Sequence, residues 1–295
     1  MSQGSVIARP SAAAPFLALF RAARPRHWLK NLLVLAAPLA AGVLADPPRL
    51  GAALLAVVAF CLAASGAYLL NDASDAAADR LHPRKRARPI AAGAVSVRLA
   101  RITGVTLLLL APGVAAITGG WRLPAVVTGY AALTLAYTAW LKHVEVVDLV
   151  AVMGCHVIRA YAGAVAVAVP VTGWFLVVVS LAALQLVAAK REAELKNTGG
   201  GSRSTLTLYT PAYLAQVRIM CSGAIVVTYC LWALNAHANL FFGLSILPLL
   251  LMVLRHNLLV ERGAGEEPEE LALRDRPMRV FALALVALVG LGIYT

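Results

Sequence analysis

Asn71, Asp75 and Asp79 recur at every fourth position, and Asp72 lies three residues before Asp75. On a helix this spacing stacks the first three on one face, where like charges repel unless a cation joins them. Carboxylate and amide oxygens are hard donors that suit Mg²⁺, whose shell is usually completed by water and substrate phosphates. The residues between them are mainly alanine, not the mixed polar residues of a solvated helix end. The basic stretch His82-Pro83-Arg84-Lys85-Arg86-Ala87-Arg88-Pro89 follows directly. An acidic helix ahead of a basic loop fits a metal-bound diphosphate, with carboxylates on the metal and cations on the phosphate oxygens. Lys85 and Arg88 are the favoured phosphate ligands, whereas Arg84 and Arg86 read as ordinary charge beside a membrane span. His82 is open between phosphate contact and loop structure.

Three further groups carry chemistry. Lys190-Arg191-Glu192-Ala193-Glu194-Leu195-Lys196 closes an apolar run, so its charges either snorkel or serve a cavity. Tyr137, Lys142 and Asp148 flank another polar connection. Arg159 follows Asp148 inside an apolar run, roughly 16 Å further along a helix. A guanidinium at that depth must face a cavity or a buried partner. Near the start, Trp28 reads as an interfacial aromatic, and Lys30 and Asn31 open the first apolar run with the option of pointing inward.

The elements that must position these residues follow from composition. Of 295 residues, 61% are apolar and 14% charged, and the mean hydropathy is +0.79. Soluble domains hold about 45–50% apolar and about 25% charged residues. A soluble enzyme, a disordered chain and a fibrous chain are excluded. Apolar runs fall at 28–45, 51–71, 99–118, 123–140, 149–168, 173–189, 211–234, 239–254 and 279–294. A membrane-crossing helix needs about 20 such residues, so the expectation is an all-α polytopic membrane protein with nine transmembrane helices. Residues 1–27 form an N-terminal segment and 28–295 a single helical domain. Pro170 ends the fifth span, and Thr210-Pro211 reads as an N-cap followed by proline at the first helical position. The 199–202 stretch reads as a flexible loop. The 261–278 loop, with its acidic run, reads as a solvated turn, with a lid or assembly role as the alternative.

The net charge of +12 raises the question of nucleic acid. With the N-terminus placed in the cytoplasm, 23 of the 26 Lys and Arg residues fall on the inner side or just inside a span. That asymmetry is the positive-inside rule. It accounts for the charge without nucleic acid, for which there is no recognition motif or aromatic stacking array. Asp46 is the one acidic residue on the outer side, so the chemistry is expected at the cytoplasmic face of the inner (plasma) membrane. Cys61, Cys155, Cys221 and Cys230 lie in apolar runs without metal-ligand spacing and read as small hydrophobes.

Nine spans, Asn71-Asp72-x-x-Asp75-x-x-x-Asp79 after the second, and Arg88-Pro89 with Gly93 beyond resemble the UbiA superfamily of intramembrane polyprenyl transferases. The resemblance implies a UbiA-type helical bundle with a cytoplasmic-side active-site cavity. Members using a prenyl diphosphate carry a second aspartate motif after span six, where this sequence has Lys190-Arg191-x-x-Glu194-Leu195. Together with Lys30-Asn31, His82-Pro83-x-Lys85, Tyr137, Lys142, Asp148 and Arg159, that departure resembles a phosphoribosyltransferase branch. This branch moves phosphoribose from phosphoribosyl pyrophosphate to a polyprenyl (decaprenyl) phosphate, toward the arabinose donor of mycobacterial-type cell walls. On this resemblance Asn71, Asp72 and Asp75 hold Mg²⁺. Asp79 or Asp148 meets the ribose hydroxyls or the developing positive charge. Lys142, Arg159, Lys190 and Arg191 meet the lipid phosphate, and a homo-oligomer is compatible with it. The alternatives are a UbiA-type enzyme joining a prenyl diphosphate to an aromatic acceptor and, more remotely, a cation transporter.

Overall fold

Inside a bilayer every backbone polar group needs a partner within the protein, so long apolar runs become helices. The computed structural model describes residues 13–83, 85–198, 204–235, 239–265, 271 and 274–294, and its regular elements are all helical. They are α1 (Ala13–Ala22), a 3₁₀ segment (Pro25–Leu35), α2 (Ala36–Ala40), α3 (Pro47–Ser74), α4 (Ala76–Leu81) and α5 (Val97–Ala116). Then follow α6 (Arg122–Ala139), α7 (Val147–Ala166), α8 (Gly173–Thr198), α9 (Pro211–Asn235), α10 (Leu240–Glu261) and α11 (Arg276–Tyr294). Arg84, the 199–202 loop and the acidic run at 266–270 lie outside the described residues.

Seven of the nine expected spans (α3, α5 and α7 to α11) are single helices long and apolar enough to cross a membrane. The run at 123–140 becomes the 18-residue α6, whose Arg122, Thr128, Thr134 and Thr138 dilute its hydropathy. The run at 28–45 differs from expectation, because it forms the 3₁₀ segment and then the five-residue α2. Arg24 turns the chain in the left-handed region at φ 55° and Pro25 opens the segment. Its backbone then lies against α7 so closely that a Cβ at Gly163 would stand 1.7 Å from the Val34 carbonyl oxygen.

Local signals set several helix ends. Thr210 Oγ1 accepts from the Tyr213 N–H at 3.1 Å, with Pro211 as the first residue of α9, as the N-cap reading expects. Ser96 caps α5 by accepting from the Leu99 N–H at 3.2 Å. Such caps satisfy N–H groups that have no partner within the helix.

Small residues allow close packing in place of a hydrophobic force between lipid-embedded helices. A Cβ at Gly66 of α3 would lie 2.7 Å from the Gly104 carbonyl oxygen of α5. From α5 to α11 each long helix packs on the next, and α11 returns to α2. The Tyr294 hydroxyl donates to the Gly42 carbonyl at 3.0 Å in that closure. One core cluster, with Phe60, Ala63, Val127, Tyr130 and Ala162, fills the middle of the first half of the chain. It floors the site described next.

Candidate active site

Three helices and the 3₁₀ segment each contribute one side to a cavity of about 460 Å³. From α3 and its continuation come Tyr68, Asn71, Asp75 and Asp79; from α6 come Tyr130, Thr134, Tyr137 and Thr138. Val152, Cys155, His156 and Arg159 come from α7. Each set repeats at three or four residues, the spacing of one helix face. The 3₁₀ segment adds Lys30, and the connections after α4 and α6 add Lys85, Arg88 and Lys142.

The acidic wall is built across a helix break. α3 ends at Ser74 and α4 starts at Ala76, with Asp75 between them at φ −87°, ψ 1°. The helical bonds continue nonetheless, from the Asp75 N–H to the Asn71 carbonyl at 2.9 Å and from the Asp79 N–H to the Asp75 carbonyl at 2.8 Å. Asn71, Asp75 and Asp79 therefore share the face that the spacing predicts. Asn71 Nδ2 donates to Asp75 Oδ2 at 3.2 Å, and Lys142 Nζ reaches Asp75 Oδ1 at 3.4 Å. Arg88 Nη1 donates to Asp79 Oδ2 at 2.6 Å.

Asp72 takes a different place from the one expected. Its side chain is 3% exposed, and Arg24 Nη2 donates to its two oxygens at 2.8 and 2.9 Å. Arg88 adds a contact at 3.3 Å. A carboxylate held by two guanidinium groups behind the cavity wall ties the N-terminal segment to α3 instead of facing a ligand. Mg²⁺ fits the remaining donors in kind, an amide and two carboxylates on one face. Among the described residues no three His, Cys, Asp or Glu side chains form a self-contained metal centre. Water and substrate phosphate oxygens would complete the shell, as is usual for this ion.

The cavity lining carries Arg24, Lys30, Lys85, Arg88, Lys142 and Arg159 against the carboxylates of Asp75 and Asp79. Such an excess of cations in a confined site draws anions. Guanidinium and ammonium groups beside oxygen donors suit phosphates in particular.

Residues 32–275 match the UbiA prenyltransferase family. The chain belongs to that family. It is 43% identical over 286 residues to decaprenyl-phosphate phosphoribosyltransferase of Mycobacterium tuberculosis (strain ATCC 25618 / H37Rv), covering 92% of this chain and 93% of that protein. It is 41% identical to the protein of the same name from Mycolicibacterium smegmatis, over 97% of this chain and 96% of that one. A UbiA homolog from Archaeoglobus fulgidus, solved bound to GPP and Mg²⁺, superposes with a TM-score of 0.74 at 19% identity, covering 94% of this chain and all of that one.

Around the UbiA cavity, several expected site residues support the lining without joining it. Asn31 is fully buried; its side-chain oxygen accepts from Arg159 Nε at 2.8 Å. His82 follows α4 and its Nδ1 accepts the Lys85 N–H at 3.3 Å. Asp148 is 1% exposed and receives Arg191 Nε at 3.1 Å and the Tyr209 hydroxyl at 2.5 Å. Arg191 also reaches Glu194 at 3.3 Å and donates to the Tyr137 hydroxyl at 3.0 Å. Lys190 is half-buried and outside the lining. Burial, and then the neighbouring Asp148, push the Tyr209 phenol above its ordinary range, so it stays a donor.

Sequence reasoning overlooked several lining or supporting groups in this UbiA site, among them Arg24 as a site residue, Tyr68, Tyr130 and Tyr209. Tyr68 had a signal, since it lies three residues before Asn71 on the same helix face. Its ring carries the Arg24 guanidinium at 4.9 Å. Tyr130 accepts from Arg159 Nη2 at 2.6 Å, and its ring lies 4.7 Å from that guanidinium. No local spacing links residues 130 and 159, so only the fold joins them. The Lys190–Lys196 stretch also divides in two. Arg191 faces α7, whereas Glu192 is fully buried against Arg218 of α9 at 2.8 Å and Lys196 at 2.7 Å.

Proposed function

We propose that the chain transfers 5-phosphoribose from phosphoribosyl pyrophosphate to a long-chain polyprenyl phosphate of the decaprenyl class, releasing pyrophosphate. The observation that carries this reading is that Asn71, Asp75 and Asp79 share one wall of a cavity to which Lys30, Lys85, Arg88, Lys142 and Arg159 supply the surrounding charge. Such a site holds one metal-bound diphosphate and one further anion. The relatives at 41–43% identity bear the name of this activity.

In the reaction a lipid phosphate oxygen attacks ribose C1, forming a C–O bond as the bond from C1 to the pyrophosphate oxygen breaks. A phosphate monoester has its second pKa near 6, so the nucleophile is already mostly dianionic and needs no strong base. Asn71, Asp75 and Asp79 would hold Mg²⁺, which when bound neutralises the diphosphate and assists its departure as a Lewis acid. Arg88, bonded to Asp79, and Lys85 hold phosphate oxygens of the donor. Lys142 stands beside Asp75 at that same end. Arg159 and Lys30 approach the cavity from α7 and the 3₁₀ segment and suit the lipid phosphate. Asp148, Arg191 and Glu194 act through Tyr137, and Lys190 borders this group. Opposed cations let two anions approach in a pre-organised field. The Lys and Arg asymmetry supports a cavity and an N-terminus that face the cytoplasm, where a water-soluble donor is at hand.

The test is turnover of purified protein in nanodiscs with Mg²⁺, phosphoribosyl pyrophosphate and decaprenyl phosphate, followed by mass spectrometry. A lipid-linked phosphoribose that disappears with EDTA is the expected product. Prenyl transfer from a prenyl diphosphate to an aromatic acceptor, with no lipid phosphoribose, would overturn the reading.

A further inference from the structure

The connection between α8 and α9 grips the connection between α6 and α7. Ser204–Leu208 form a 3₁₀ turn, with Tyr209 next in the chain. Thr205 Oγ1 donates to the Lys142 carbonyl at 2.8 Å. The Tyr209 hydroxyl accepts from the Val146 N–H at 2.6 Å and donates to Asp148 Oδ1 at 2.5 Å. Thr205 is 2% and Tyr209 7% exposed, so these bonds form away from water, where they are strongest.

The gripped stretch is strained. Val146 stands at φ 62°, ψ −43°, the centre of a positive-φ γ-turn in which the Val147 N–H bonds the Glu145 carbonyl at 2.6 Å, a strained conformation that a β-branched residue keeps only when its surroundings hold it. Its N–H is the group that Tyr209 captures. The ends of this stretch both serve the cavity. Lys142 lies at one end, with Nζ 3.4 Å from Asp75. Asp148 lies at the other and fixes Arg191, which donates to the Tyr137 hydroxyl. Thr205 and Tyr209 do not themselves line the cavity.

We propose that Thr205 and Tyr209 are positioning residues that hold the 142–148 connection so that Lys142 stays at the diphosphate end of the cavity and Tyr137 stays fixed beside it. The role in turnover rests on the reaction proposed above. The two hydroxyls act differently. A valine at 205 keeps the shape and removes one bond, whereas a phenylalanine at 209 removes two bonds and leaves the Val146 N–H without its acceptor.

The test compares Thr205→Val, Thr205→Ser and Tyr209→Phe with the wild type, each also combined with Lys142→Ala, as full chains in nanodiscs. KM for phosphoribosyl pyrophosphate, kcat and the thermal midpoint are read together. Thr205→Val is expected to raise KM about tenfold, the scale of one lost orienting hydrogen bond, with the thermal midpoint little moved. Thr205→Ser is expected to behave as wild type. In the Lys142→Ala background Thr205→Val is expected to add almost nothing to KM. Unchanged KM in both Thr205→Val and Tyr209→Phe, or losses that add fully to that of Lys142→Ala, would overturn the proposal. A wild-type protein that makes no lipid phosphoribose would overturn the reaction instead. Calorimetric binding of Mg²⁺ with inorganic pyrophosphate then decides the positioning role: weakened binding in Thr205→Val upholds it and unchanged binding ends it.

Discussion

Arg159 Nε donates to Asn31 Oδ1 at 2.8 Å, joining α7 to the 3₁₀ segment across 128 positions of sequence. The same guanidinium donates to the Cys155 carbonyl at 3.0 Å and to the Tyr130 hydroxyl at 2.6 Å. A deep arginine is thus satisfied in three directions while one face remains on the cavity. Asn31→Leu removes one acceptor from a buried charge and should cost roughly 1–3 kcal/mol. Arg159→Lys should not preserve function, because one ammonium cannot reproduce a planar fork. Thermal unfolding in nanodiscs and KM for decaprenyl phosphate check both; an Arg159→Lys variant with wild-type KM would contradict the assignment.

Asp75 and Asp72 are near neighbours with opposite surroundings, so their asparagine variants should fail in different ways. Asp75→Asn weakens the wall that faces the cavity. Losing an outer partner of a metal site commonly costs 10–100-fold, and a direct ligand should cost at least about that much in turnover, with more Mg²⁺ needed for half-maximal rate. Asp72→Asn leaves Arg24 and Arg88 without their shared anion. It should lower the thermal midpoint and folded yield while the Mg²⁺ midpoint of the surviving protein changes little. A Mg²⁺ titration of both variants separates the two outcomes, and a larger Mg²⁺ shift in Asp72→Asn would reverse the assignments.

How much of this was legible in the sequence follows from the range of each signal. The stack of Asn71, Asp75 and Asp79 was readable because a helical period is local, and it survives even the break at Asp75. Lys85 and Arg88 were readable from the basic stretch directly after the acidic helix, and Lys142 from the polar connection it flanks. The direction of Asp72 was not, since it depends on Arg24 arriving from another element. Nor did hydropathy show that the first apolar run would bend into a 3₁₀ segment, because hydropathy records burial and not backbone geometry. The buried roles of Asp148 and Arg191 were hidden for the same reason, as their partners come from three separate elements.

Gly163 controls where the 3₁₀ segment sits. A methyl group there would meet the Val34 carbonyl oxygen at 1.7 Å, with the Val34 carbonyl carbon at 2.8 Å. Both contacts are backbone atoms, which cannot rotate away. Gly163→Ala should therefore displace the segment that carries Lys30 and Asn31, and overpacking of this kind costs typically about 1–3 kcal/mol or more. Gly129→Ala on α6 is the control, because nothing lies within 4 Å of a Cβ there. The expected result is a lower thermal midpoint and weaker turnover for Gly163→Ala alone. Equal behaviour of the two variants would show that the close approach does not set the site.

Asp148 and Arg191 form a nearly solvent-free pair, with side chains 2% and 4% exposed. Breaking such a pair from one side leaves a buried charge and costs roughly 3–5 kcal/mol, whereas neutralising both sides is often far less harmful. Asp148→Asn should thus be strongly destabilising, softened by the contact between Arg191 and Glu194. Asp148→Asn with Arg191→Gln should recover most of the thermal midpoint, because the neutral groups can still hydrogen-bond each other and Tyr209. Since the pair acts on the cavity through Tyr137, the double variant should retain measurable turnover with a raised KM for the donor. A folded double variant with no detectable kcat would instead favour direct contact of Asp148 with the ribose, one of the roles that the family resemblance implies for Asp79 or Asp148.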